Sequence, residues 1–122
     1  MAQIVSLLDS YAYRSMVWDV FVERLRRPLS GGTPDEDRVN AGLNQADLCL
    51  MVLSNFLGDG AWLAGEDLSL ADLHAAPMVC YLRATSEGRK LLERYSAMAA
   101  WWARIVTRSA MRATATPYAA DV

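Results

Sequence analysis

The sequence has little of the material from which metal, nucleic-acid and membrane sites are built. It contains one histidine, His74, and two cysteines, Cys49 and Cys80, and their neighbours do not have metal-ligand spacing, so no metal site is expected. The formal net charge of −2 argues against nucleic-acid binding, because neutralising phosphates requires a basic face. No apolar run reaches the roughly 18 residues of a membrane span, so no membrane partner is expected.

Signals for secretion, for strands and for catalysis are also missing. The N-terminus has no basic region before an apolar core, so we expect no signal peptide, and free cysteines in apolar stretches are typical of the reducing cytoplasm. No hairpin pair or period-two apolar run occurs, which predicts an all-α fold. There is no nucleophile elbow, phosphate loop or zinc-protease motif, and no cysteine or serine is paired with the histidine. The residues therefore offer no catalytic group and no cofactor site of their own.

Length and composition fit one globular domain. With 122 residues, of which 53% are hydrophobic and 21% charged, the chain is long enough to bury most of an apolar core. We predict a helical domain over residues 1–115, with a last short helical turn near 110–113. A loose tail is predicted over residues 116–122.

The first helix is predicted to run from Gln3 to Arg27 and to have a broad apolar surface. One row of side chains steps by four and three residues, as in an α-helix packed on a core: Ile4, Leu8, Tyr11, Ser15, Trp18, Val22 and Leu25. A second set widens the surface beyond the arc that one core requires: Val5, Ala12, Met16, Val17, Val20 and Phe21. Either the domain covers both sides itself, or one side faces another domain or a partner. We favour the second, because so small a domain has few helices to cover both.

A second helix is predicted after the break at residues 28–34. Thr33 is placed as its N-cap, with Pro34 at the first helical position and Glu36 completing a capping box. Apolar residues then keep the four-three step to Leu57, and Gly58 is the expected left-handed end.

A third helix begins at the most informative phrase of the sequence, Ser-Leu-Ala-Asp. Ser69 is predicted as its N-cap and Asp72 as the acid that reaches back to the N-cap N–H. Leu68 and Leu73 are placed to close over the cap as a hydrophobic staple. Replacing Ser69 or Asp72 with alanine should then cost about 1 kcal/mol, the usual effect of losing a cap.

The body of this third helix, to about Thr85, has little polar surface and is predicted to be the buried centre of the fold. Pro77 lies inside it and should bend its axis. We interpret the single histidine as hydrogen-bonded structure rather than a base, because no nucleophile or acid has the spacing for catalysis with it. Two short helices are predicted to follow, over residues 88–95 and from Ser96 onwards, with the paired tryptophans as core anchors.

The order of these features resembles the C-terminal helical domain of glutathione transferases. The resemblance lies in a tryptophan-leucine-x-glycine entry, the S-L-A-D-L phrase, a proline inside the following helix, and the later Leu-Leu, Tyr and Ala-Trp-Trp-Ala-Arg groups: Trp62, Leu63, Gly65, Ser69 to Leu73, Pro77, Leu91, Leu92, Tyr95 and Ala100 to Arg104. It covers nearly the whole chain and implies a bundle of about five to six helices. The sequence departs from the family at Ser109, where a proline is usual.

The resemblance also implies a function for the intact parent. In that family a thioredoxin-like N-terminal domain binds glutathione and activates its thiol, and the helical half supplies one wall of the hydrophobic substrate pocket and part of the dimer interface. We therefore expect that this domain is missing here and that the chain alone lacks the glutathione-activating residue. The parent is expected to be a homodimer that transfers glutathione, its co-substrate, to a hydrophobic small molecule. A freestanding protein–protein interaction module without enzymatic activity is the alternative that stays open.

By analogy of position with related transferases, four residues of the first helix are candidates for the substrate site. Tyr11 and Tyr13 are placed to line the electrophile pocket, with Trp18 further along, and Asp9 to meet the glutathione ammonium. Structural alternatives are open for two of them, because Tyr11 lies on the predicted core row and Asp9 could be solvated.

Overall fold

The computed structural model describes residues 2–108, and within them the chain is all helical with no strand. The all-α prediction is confirmed for these residues. The predicted turn near 110–113 and the tail over 116–122 lie outside the described residues. Five helices are present: α1 over residues 2–29, formed by the continuous segments Ala2–Leu7, Leu8–Arg26 and Arg27–Leu29; α2, Glu36–Leu57; α3, Leu70–Arg83; α4, Ser86–Glu93; and α5, Ser96–Val106.

The long first helix has a different winding from the one that the sequence pattern assumed. Its central segment, Leu8–Arg26, is π-helical, and at its end the Arg27 N–H donates to the Val22 carbonyl five residues back. A π-helix has more residues per turn than an α-helix. The row that faces the core accordingly steps by four throughout and draws on both predicted sets: Ile4, Leu8, Ala12, Met16 and Val20.

This winding overturns the predicted core positions of two aromatic residues. Tyr11 is 53% exposed and Trp18 is 46% exposed, so neither belongs to the buried row. The four-three step assumes α-helical winding, and after two turns the wider helix has rotated both side chains away from the core.

The second helix begins at Glu36 and is capped by Asp35, whose carboxylate accepts the Arg38 N–H at 3.2 Å. The predicted cap at Thr33 is therefore wrong. Glu36 does not reach back to a cap either, because Arg24 of α1 holds it through two nitrogen–oxygen pairs at 2.6 and 2.9 Å. The acid that the local motif assigned to capping thus forms an ion pair with an arginine of a neighbouring helix.

A buried carboxylate fixes the corner between α1 and α2. Glu23 is 4% exposed and accepts the Arg27 guanidinium at 2.7 Å and the Asp35 N–H at 2.9 Å. The hydrogen bond from the Asp35 backbone, followed by the bond and charge of Arg27, holds the pKa of Glu23 below its ordinary value, although burial acts in the opposite direction.

Glu23→Gln is therefore expected to lower the free energy of unfolding by about 2 kcal/mol at neutral pH, because the bonds lost are made to a charged acceptor. The stability that this carboxylate contributes should be complete above its unfolded-state pKa, near 4.5, and should be lost as the pH falls through the lower folded-state value. Urea unfolding at neutral and acidic pH measures both effects. The variant should lose less stability on acidification than the wild type, and Asp37→Asn, at an exposed position nearby, should match the wild type at both pH values.

The third helix is the buried centre of the fold and is organised around the carboxylate of Asp72. One oxygen accepts the Leu63 N–H at 2.8 Å and the Trp101 indole N–H at 2.9 Å. The other accepts the Ser69 N–H at 2.9 Å and the Ser69 hydroxyl at 3.0 Å. The capping box is present, and the same acid also ties the entry loop and α5 to the start of α3.

The two leucines assigned to the staple differ in their surroundings. Leu68 is partly buried against the core, whereas Leu73 is 38% exposed. Pro77 lies inside α3, and the paired tryptophans of α5, Trp101 and Trp102, are buried in the core.

Candidate functional site

A cleft of about 340 Å³ lies between α1 and α3. The α1 side supplies side chains that step by four, next to the buried row, and the α3 side supplies positions three, four and seven residues after the histidine. The two rows face each other along the helices, so the cleft is lined by Asp9, Tyr13, Val17, His74, Pro77, Met78 and Tyr81.

The walls of this cleft are aromatic and aliphatic. Tyr81 is held in place by Phe21 of α1, with ring centroids 4.6 Å apart and planes inclined by 53°. Met78 is almost fully buried and supplies a polarisable thioether, whereas Tyr13 is 45% exposed at the opening. Such a surface suits a flat apolar molecule.

The polar groups of the cleft are a paired carboxylate and imidazole. His74 Nε2 lies 2.7 Å from Asp9 Oδ1, and the two side chains are 41% and 60% exposed. They belong to different helices and are 65 positions apart in sequence. The prediction that the histidine is a hydrogen-bonded residue agrees with this pair. The prediction that no acid is placed to act with the histidine disagrees with this pair, because the fold places Asp9 beside His74.

The structure brings together two of the four predicted site residues and separates the others. Asp9 and Tyr13 line the cleft between α1 and α3. Tyr11 lies in a smaller cleft of about 220 Å³ between α1 and α2, with Gln45. Trp18 lines a third cleft of about 460 Å³ near the end of α1. The four predicted residues, all on α1, therefore lie in three different clefts.

Sequence reasoning missed the contribution of α3 to the cleft. Its lining residues had been assigned to the core because the whole helix is apolar, and most of that helix is indeed buried. A usable signal was present in the spacing, since a histidine followed by apolar residues at three, four and seven positions marks one helical face: His74, Pro77, Met78 and Tyr81.

Residues 2–108 contain no other grouping with obvious chemistry. They have no cluster of three or more His, Cys, Asp or Glu residues able to hold a metal ion. Cys49 and Cys80 are buried free thiols, and burial raises the pKa of Cys49, which disfavours its reactive thiolate. No helix in this part of the chain is long and apolar enough to cross a bilayer.

The family profile described as glutathione S-transferase, C-terminal domain, matches residues 11–109. The chain belongs to this family. Glutathione S-transferase 1 of Zea mays is 29% identical over 108 residues, covering 88% of this chain and 50% of the maize protein. Glutathione S-transferase F6 of Arabidopsis thaliana is 32% identical over 93 residues, covering 76% and 42%. The glutathione S-transferase C-terminal domain seen here thus spans about half the length of the curated relatives it matches.

Solved glutathione S-transferases have the same helical arrangement. The structure of glutathione S-transferase III in its apo form superposes with a TM-score of 0.86 at 29% identity, covering 95% of this chain and 54% of the other. Glutathione S-transferase I bound with lactoylglutathione gives 0.84 at 26% identity, covering 99% and 55%. The maize enzyme I in complex with an atrazine glutathione conjugate gives 0.79 at 27%, covering 98% and 55%. The transferase C-terminal fold is therefore present in this chain.

Proposed function

We propose that the cleft between α1 and α3, which we call the substrate cleft from here on, holds the hydrophobic electrophile of a glutathione transferase. This chain is the helical half of that enzyme. The observation that carries the proposal is the cleft itself, an apolar space between α1 and α3 with an open mouth. The chain spans about half the length of the curated relatives it matches. A separate thioredoxin-like domain would therefore supply the glutathione and the group that activates it.

In this proposal the helical half contributes binding and orientation, and the chemistry takes place at its edge. The glutathione thiolate attacks the electrophilic carbon held in the cleft and a carbon–sulfur bond forms. In a substitution the bond to the leaving group breaks and that group departs with the electron pair, whereas in an addition the π bond breaks and its electron pair moves to the neighbouring atom, which then takes up a proton. Holding both reactants side by side replaces an encounter in solution. Relatives bound to lactoylglutathione and to an atrazine glutathione conjugate support glutathione as the co-substrate.

The partners of the domain follow from its exposed aromatic surface. Tyr11, Tyr13 and Trp18 each expose about half of their side chains along α1, which provides apolar area for the thioredoxin-like domain and for a second copy in a homodimer. The two buried free thiols support a cytoplasmic location, where they stay reduced.

Substitutions of residues that line the cleft test this function in the full-length parent polypeptide. Tyr13→Ala and Met78→Ala are each expected to raise the KM for chlorodinitrobenzene about tenfold, because each removes apolar contact with the electrophile. The KM for glutathione should not change, since in this proposal Tyr13 and Met78 contact the electrophile and not glutathione. Initial rates at varied concentrations of each substrate measure both constants.

Trp18→Phe is the matched control, because Trp18 is an exposed aromatic residue of the same helix outside the cleft. It should leave both constants unchanged. A source protein whose intact mass equals that of the 122 residues, with no conjugating activity, would overturn the proposal in favour of a binding module. Equal effects of Trp18→Phe and Tyr13→Ala would show that the cleft is not the electrophile site.

A further inference from the structure

The Asp9–His74 pair has a definite polarity. An ionised carboxylate can only accept hydrogen bonds, so beside ionised Asp9 we assign the proton to Nε2 of His74, which donates a hydrogen bond to Asp9 Oδ1 over the 2.7 Å contact. In a neutral imidazole this leaves the lone pair on Nδ1, which makes the second ring nitrogen an acceptor. The carboxylate on α1 thus fixes which nitrogen of the α3 histidine accepts.

The pair is placed where a bound molecule would meet it. Both side chains line the substrate cleft and are partly open to solvent, so the second nitrogen is not enclosed by protein. Within residues 2–108 neither side chain has a further hydrogen-bond partner. An exposed carboxylate–imidazole hydrogen bond of this kind contributes little to stability in water, so the fold alone gives no strong reason for it.

We propose that His74 accepts a hydrogen bond from a hydroxyl or amide donor on an aromatic ligand whose ring lies against the apolar wall of the cleft. Asp9 is the positioning residue, because it acts on the ligand only by holding the ring and its tautomer. The wall supplies the contact area through Tyr13, Met78 and Tyr81, and Nδ1 of His74 supplies an acceptor whose direction Asp9 fixes. This inference rests on the proposed function of the cleft and adds the class of substrate: phenolic or amide-bearing aromatic compounds.

A matched pair of probes tests the selection on the 122-residue chain itself. β-Naphthol can donate a hydrogen bond and its methyl ether cannot, while both present the same fused ring to the wall. Fluorescence anisotropy of each probe, excited beyond the tryptophan absorption, gives the two dissociation constants. For the wild type we expect β-naphthol to bind about three to ten times more tightly than the ether, the effect of one net hydrogen bond.

Two variants of the histidine should remove this preference without removing the ring-binding wall. His74→Phe deletes both ring nitrogens, and His74→Lys can still donate to Asp9 but has no acceptor to offer a ligand. Both should bind the two probes equally, with the affinity of the wild type for the ether. Asp9→Asn should reduce the preference, since an amide no longer dictates the tautomer, and Tyr11→Phe, outside the cleft, should retain it in full.

The outcomes separate this inference from the proposed function. A preference that persists in both His74→Phe and His74→Lys would overturn the role of His74, even if the parent enzyme conjugates glutathione. Binding of neither probe to the wild-type chain would overturn the inference together with the cleft as a ligand site. A preference that disappears in the two variants supports the inference, including in the case where the parent has no transferase activity.

Discussion

Asp72→Ala is expected to lower the free energy of unfolding by about 3–5 kcal/mol, several times the effect of losing an ordinary helix cap. The carboxylate is fully buried and accepts four hydrogen bonds. Its removal leaves the Leu63 N–H and the Trp101 indole N–H without partners inside the core. Each buried donor left unsatisfied costs about 1–3 kcal/mol, to which the lost cap adds about 1 kcal/mol.

Urea unfolding followed by far-ultraviolet circular dichroism measures this loss, and Ser69→Ala is the matched control. Ser69 is only partly buried and its groups can bond to water, so this variant should lose about 1 kcal/mol. The loss caused by Asp72→Ala should be smaller in a Trp101→Phe background, because one of the stranded donors is then absent. If Asp72→Ala and Ser69→Ala cost the same, the carboxylate acts as a cap and nothing more.

The expected difference in stability between Asp72→Ala and Ser69→Ala comes from contacts that the local sequence does not show. The S-L-A-D phrase correctly placed the start of the central helix, and Gly58, with φ of 51°, ends α2 where a left-handed residue was predicted. Both are short-range features, complete within a few residues. The other partners of Asp72 lie nine positions before it and 29 after it, and no periodicity connects them. Its full role needed the packed structure.

The lining of the substrate cleft was also only partly predictable from the local sequence. Positions on α1 were assigned by assuming α-helical winding, so Tyr11 and Trp18 were placed in the core and proved exposed. Of the four residues grouped by position, Asp9 and Tyr13 share a cleft, since they are one turn apart on the same helix. The pairing of Asp9 with His74 depends on how α1 crosses α3, which is decided by side-chain packing along both helices rather than by either sequence segment alone.

Gly88→Ala is expected to destabilise the chain by about 3 kcal/mol, although helix propensity predicts the opposite sign. Gly88 lies in the first turn of α4, and an alanine in a helix is ordinarily better than glycine by about 1 kcal/mol. Here an added Cβ would stand 2.0 Å from the Leu82 carbonyl oxygen and 2.7 Å from the Thr85 hydroxyl oxygen. The first of these atoms belongs to the backbone of α3 and cannot rotate aside.

The loss of stability would come from the corner that joins α3 to α4. Thr85 caps α4 by accepting the Gly88 N–H at 2.9 Å, and its hydroxyl donates to the Leu82 carbonyl at 2.8 Å. A methyl group at Gly88 would have to separate the two helices and stretch both bonds. Ser86→Ala, at an exposed position in the same turn, should change stability by less than about 0.5 kcal/mol. Urea unfolding that shows Gly88→Ala to be as stable as the wild type, or more so, would mean that α4 can move away from α3 without loss, and that the close approach does not require a glycine.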